Sequence, residues 1–100
     1  MVVSRDRYAP LGARQAPAAA PVTVYGTGWC AATQMVRRHL DRLGILYRYV
    51  DLETSPEAVA RLKWLTGGYA SHPTVNVAGE VLVEPTLEEL DWALSRVGML

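Results

Sequence analysis

The chain has 100 residues, 50% of them hydrophobic, with ten Lys and Arg against ten Asp and Glu, two histidines and one cysteine, Cys30. That length suits one domain with a single modest core and excludes a multi-domain enzyme. A lone cysteine excludes an internal disulfide and a cysteine-cluster zinc site, and a net charge of zero lacks the basic footprint of a nucleic-acid binder.

Residues 1–21 hold three of the six prolines and the run Ala18-Ala19-Ala20, without an apolar period. A flexible Ala/Pro-rich lead-in is expected there, and no function is assigned to it. Its one apolar stretch, Ala16 to Val22, is broken by Pro17 and Pro21, which makes a poor secretory signal. No apolar run approaches the ~20 residues of a membrane-spanning helix, so a soluble, cytoplasmic chain without a membrane partner is expected.

Residues 22–100 are patterned as one domain. Val22-Thr23-Val24-Tyr25, closed by Gly26, is a short β-branched and aromatic run that predicts a buried strand. After Cys30, apolar residues at Ala32, Met35, Val36, Leu40 and Leu43 alternate with Arg37, Arg38, Asp41 and Arg42 at a helical period, and Gly44 is placed to end that helix. Leu46 to Leu52 alternates as a second strand, parallel to the first because a helix connects them. Thr54 or Ser55 caps a second helix with Pro56 in its first turn and Val59, Leu62 and Leu65 on its apolar face, ending at Gly67-Gly68.

Residues 73–77 and 81–83 form a hairpin about the turn Ala78-Gly79-Glu80. Thr86-Leu87-Glu88-Glu89 fits a capping box for a last helix with the stripe Leu87, Leu90, Leu94 and Val97. The order β-α-β-α-β-β-α predicts a mixed α/β sheet with helices on both faces.

Cys30 falls between the first strand and the first helix, where unpaired backbone N–H groups and the positive end of the helix dipole favour a thiolate over a thiol. Cysteines so placed have their pKa lowered from about 8.5 and become nucleophilic at neutral pH. Trp29 supplies an apolar wall beside it. A buried packing cysteine is the competing assignment.

Val24 to Thr33, with Trp29-Cys30-Ala31-Ala32-Thr33 at its end, resembles the WCxxC region of glutaredoxins, which have the thioredoxin fold. The stretches Gly67 to Val75 and Val83 to Thr86 resemble later landmarks of the mycoredoxin-type and NrdH-like members, so the resemblance runs from Val22 to about Val97. It implies that Cys30 attacks mixed disulfides between proteins and a low-molecular-weight thiol, with glutathione, mycothiol or bacillithiol as co-substrate and no bound cofactor or metal. It also implies that Pro73 is cis, facing the cysteine, and that His72 offers its backbone to the substrate. Tyr69 is then a contact in the thiol groove, and Thr86 caps a helix whose N-terminus can receive a substrate carboxylate.

Two positions depart from the family pattern. Thr33 stands where dithiol members have a second cysteine, so turnover is monothiol and Thr33 is a candidate hydroxyl donor to the thiolate. His72 replaces the valine often found before the proline, and an imidazolium reaching the thiolate would lower its pKa or protonate the leaving sulfur. The CGFS sequence and upstream lysine of cluster-carrying monothiol members are absent, which weakens but does not remove an iron–sulfur carrier as an alternative. The other alternative is a redox-silent binding module. A monomer is expected, with a Cys30–Cys30 disulfide dimer on oxidation. His39 is expected to be structural or solvated, Arg37 and Arg38 either to favour anionic thiols or to form a solvated face, and Trp64 and Trp92 to lie outside the site.

Overall fold

The computed structural model describes residues 20–100; the expected lead-in segment therefore lies almost wholly outside the described residues. Seven elements follow the expected order: β1 (Val22–Gly26), α1 (Ala31–Arg42), β2 (Arg48–Asp51), α2 (Pro56–Thr66), β3 (Thr74–Val77), β4 (Glu80–Val83) and α3 (Leu87–Arg96). They make a four-stranded sheet in the order β2-β1-β3-β4. β1 and β2 are parallel, while β3 runs antiparallel to both β1 and β4. β2 is shorter than its alternating sequence, since only Arg48–Asp51 reaches the ladder with β1.

Period-two alternation separates the two faces of the sheet. Val22, Val24, Val75 and Val77 point to one face, where they pack with Val36 and Leu40 of α1 and Leu90, Ala93 and Leu94 of α3. Thr23 and Tyr25 point to the other, where they line a cleft with Ala58 and Arg61 of α2. Helices therefore cover both faces, as the element order requires.

Local signals end the elements as expected. Ser55, rather than Thr54, caps α2: its Oγ accepts the Ala58 N–H at 3.1 Å. Thr86 caps α3 with a complete capping box. The hairpin turn is tighter than its sequence suggested, with only Ala78 and Gly79 between Val77 and its partner Glu80. Both have positive φ, 51° and 101°, the signature of a two-residue primed turn whose twist matches the strands.

The core face of α1 differs from the expected stripe. Its buried residues are Thr33, Val36, Arg37 and Leu40, whereas Met35 is 52% exposed and Leu43 also reaches solvent. The face is rotated because Arg37, at 6% exposure, lies under the sheet edge. Its guanidinium stacks 3.6 Å from the Tyr49 ring centroid, and its Nε donates to Tyr47 Oη at 3.3 Å. A polar side chain thus occupies a core position by satisfying its charge on two tyrosines, which hydrophobic periodicity cannot reveal. Arg37 is neither part of a solvated face nor turned toward an anionic substrate; Arg38, one residue on, is exposed. Arg37→Ala is expected to cost about 2 kcal/mol in urea unfolding and Arg38→Ala less than about 0.5 kcal/mol. Equal costs would contradict the buried role.

His39 is structural, as expected: its Nε2 lies 2.7 Å from Asp91 Oδ1 and ties α1 to α3. Trp64 and Trp92 are exposed. No helix among the described residues is long and apolar enough to cross a membrane.

Candidate functional site

The site is built where β1 ends and α1 begins. Cys30 is the N-cap residue of α1, with φ −82° and ψ 115°, and its side chain makes no capping hydrogen bond. The sulfur is therefore left for chemistry while its backbone joins the helix: Gln34 N–H donates to Cys30 O at 3.1 Å. The Gln34 side chain fixes the preceding turn, its Nε2 donating to Thr27 O and Gly28 O at 3.3 Å each. Nothing in the apolar pattern marked Gln34 for that duty.

Thr33 is fully buried in the first turn of α1, and its Oγ1 has no hydrogen-bond partner among the described residues. Such a hydroxyl is costly unless an acceptor forms beside it. The Cys30 thiolate is that acceptor: the Thr33 hydroxyl, helped by the backbone N–H groups of Thr33 and Ala32 and by His72, brings the thiol down to about 7 against a smaller opposing effect of burial. About half of Cys30 is then ionised at neutral pH.

Opposite the cysteine, the His72–Pro73 peptide bond is cis and Pro73 is buried. The His72 ring meets Trp29 edge to face, with centroids 5.3 Å apart and planes at 87°. Its Nδ1 is buried without another partner among the described residues. Trp29 itself is 68% exposed. It is held at its far end by Glu53, whose Oε2 accepts the indole N–H at 2.7 Å. Glu53 lies in the β2–α2 connection, where its own N–H donates to Asp51 Oδ1 at 2.9 Å. The parallel pairing of Gly26 with Asp51 brings that connection beside Trp29.

Two further residues were expected at the site. Tyr69 is 64% exposed, and its backbone N–H and O are both bonded to Thr66 Oγ1. Thr86 follows Glu84, whose N–H donates to Pro73 O at 2.8 Å. The Thr86 hydroxyl accepts the Glu89 N–H at 3.0 Å and its own N–H donates to Glu89 Oε1 at 2.8 Å, the two bonds of the capping box. The structure thus gathers Cys30, Thr33, Trp29, His72 and Pro73, and the Pro73–Glu84 bond links them to the segment that holds Thr86.

A cysteine at a helix N-terminus beside a cis-proline turn coincides with a match of residues 22–82 to the glutaredoxin family model. The chain belongs to the glutaredoxin family. A Mycobacterium tuberculosis protein bearing a provisional glutaredoxin name, found in two strains, is 30% identical over 79 residues, which are 78% of this chain and 94% of that protein. Among solved structures, a mutant of the thioredoxin-like protein BC3987 superposes with a TM-score of 0.70 at 28% identity, covering 75% of this chain and 95% of that one. A glutaredoxin from Archaeoglobus fulgidus shares the fold at TM-score 0.70 and 17% identity, covering 77% and 88% of the two chains. A buckwheat glutaredoxin in complex with glutathione shares it at 0.60 and 23%, covering 81% and 73%. The thioredoxin fold is thereby established, and family and fold together support a role in thiol–disulfide exchange.

Proposed function

We propose that this glutaredoxin is a cytoplasmic monothiol oxidoreductase of the mycoredoxin-like kind, which removes small thiols from protein mixed disulfides. The observation that carries this reading is the Cys30–Thr33 pair: a thiol brought to about 7, with a buried hydroxyl where a second thiol would be needed for an internal disulfide. Family and fold support the general chemistry.

In the first step the Cys30 thiolate attacks the small-thiol sulfur of protein–S–S–R. A bond forms between Cys30 Sγ and the sulfur of R, the S–S bond of the mixed disulfide breaks, and the protein leaves as a thiolate that takes a proton from solvent. The helix N-terminus and the Thr33 O–H stabilise the sulfur anion before attack. Trp29 and the cis-Pro73 turn form the walls between which the disulfide lies, with the backbone at His72 available to pair with an extended substrate.

In the second step a free R–S⁻ attacks the small-thiol sulfur of the Cys30–S–S–R adduct, releasing R–S–S–R and restoring the Cys30 thiolate. Electrons balance, since one disulfide is reduced and another formed. The small thiol R–SH is glutathione, mycothiol, bacillithiol or a thiol of that kind.

Incubation with each oxidised small thiol should give an intact mass increased by one R–S group, with none in Cys30→Ser. Complete lack of adducts in the native chain would defeat the proposal.

A further inference from the structure

Building on the exchange reaction proposed above, we infer that the mouth of the Cys30 site selects disulfides by charge, favouring small-thiol partners that carry amines or neutral groups over those that carry carboxylates, and that Glu53 sets this preference.

Four connections meet around the cysteine: residues 27–34, 51–55, 71–74 and 83–86. Between them they contain Asp51, Glu53 and Glu84, one histidine, and neither lysine nor arginine. The topology makes this a local property, because Asp51 is paired with Gly26 at the end of β1 and Glu84 is bonded through its N–H to Pro73 O. Glu53 is the fixed member, since its carboxylate is held on the Trp29 indole at 2.7 Å and its backbone on Asp51. That indole belongs to the residue next to Cys30 and is 68% exposed.

These four connections hold no lysine or arginine to offset this charge. The guanidinium of Arg37 is buried under α1 against Tyr47 and Tyr49. The helix N-terminus nearest Pro73 on the β4 side, that of α3, is capped by Thr86 and carries Glu88 and Glu89 in its first turn. A substrate carboxylate thus meets Asp51, Glu53 and Glu84 with no lysine or arginine in these four connections, while an ammonium group meets the carboxylate fixed at Glu53. At the solvent-exposed mouth each unit charge on the partner should alter the attack rate by about two- to threefold per nearby carboxylate, and the effect should fade with salt.

The experiment measures second-order adduct formation by intact mass with three small disulfides: cystamine, bis(2-hydroxyethyl) disulfide and 3,3′-dithiodipropionate. Each rate is divided by that of the same disulfide with free 2-mercaptoethanol, which removes leaving-group differences. The native chain should favour cystamine over dithiodipropionate by about tenfold or more at low salt, collapsing in about 1 M NaCl, where the Debye length is ~3 Å. Glu53→Gln keeps an acceptor for the Trp29 N–H and removes the charge, so the ratio should fall about fivefold. Glu80→Gln makes the same change in net charge at the far end of β4 and should leave the ratio at its native value.

An unchanged ratio in Glu53→Gln, or an equal fall in Glu80→Gln, overturns the charge assignment while leaving the exchange chemistry standing. Failure of the native chain to react even with the neutral disulfide removes the exchange chemistry and this inference together.

Discussion

Replacing Thr33 with valine should raise the midpoint of Cys30 ionisation by about one pH unit from its position near 7, because the largest contribution holding the thiol down is the Thr33 hydroxyl. At pH 7 the thiolate fraction would fall from about one half to roughly one tenth. A more basic thiolate is also a better nucleophile, which returns about threefold of that loss, so the exchange rate at a single pH changes only about twofold. The full pH profile of alkylation is therefore the decisive measurement. His72→Val should raise the midpoint by less, since His72 contributes less than Thr33. An unmoved profile in Thr33→Val would sink the role given to its hydroxyl.

The same substitution should act on stability with the opposite sign. Below pH 7 the thiol is neutral and the Thr33 Oγ1 is buried without a partner, so valine should stabilise by about 1 kcal/mol. The folded-state pKa of Cys30 is depressed, so its contribution to stability is complete above the unfolded thiol value of about 8.5 and is lost as pH falls through 7. The advantage of the valine variant should therefore shrink as pH rises from 7 to 9. Urea midpoints at pH 6 and pH 9 test this, and a constant advantage across that range would contradict it.

Gly26→Ala should be the more damaging change. A Cβ on Gly26 would lie 2.5 Å from Thr33 Oγ1, closer than such atoms approach, and in tight contact with Thr33 Cβ at 3.0 Å. Both residues are buried, Gly26 at the end of β1 and Thr33 in the first turn of α1, so neither can move into solvent. Overpacking of this kind costs about 1–3 kcal/mol, and relief by displacing Thr33 would withdraw the hydroxyl from Cys30. The variant is expected to show both a lowered urea midpoint and a raised Cys30 ionisation midpoint. Gly28→Ala, where an added Cβ meets nothing within 4 Å, should show neither. Loss of stability in the Gly28 variant equal to that at Gly26 would refute the packing argument.

The strand and helix order was legible because each element carries its own local signal. Thr86 and Glu89 are spaced for a capping box, Gly44 and Gly67 accept the left-handed conformation at helix ends, and valines alternate through the hairpin. Such signals depend on residues a few positions apart, which a sequence displays directly. The place of Cys30 at a helix N-terminus was legible for the same reason. The core face of α1 was misjudged because Arg37 is buried through Tyr47 and Tyr49, residues on the far side of a chain reversal.

By itself, then, the sequence determined the element order, the helix ends and the lone thiol with a threonine in place of a second cysteine. Tertiary structure decided what surrounds that thiol. Register between β1 and β2 brings Glu53 to Trp29, and the Pro73 turn brings His72 to Trp29 and the cysteine. These contacts join positions dozens of residues apart, where no spacing rule applies and only the packing of the sheet determines which side chains meet.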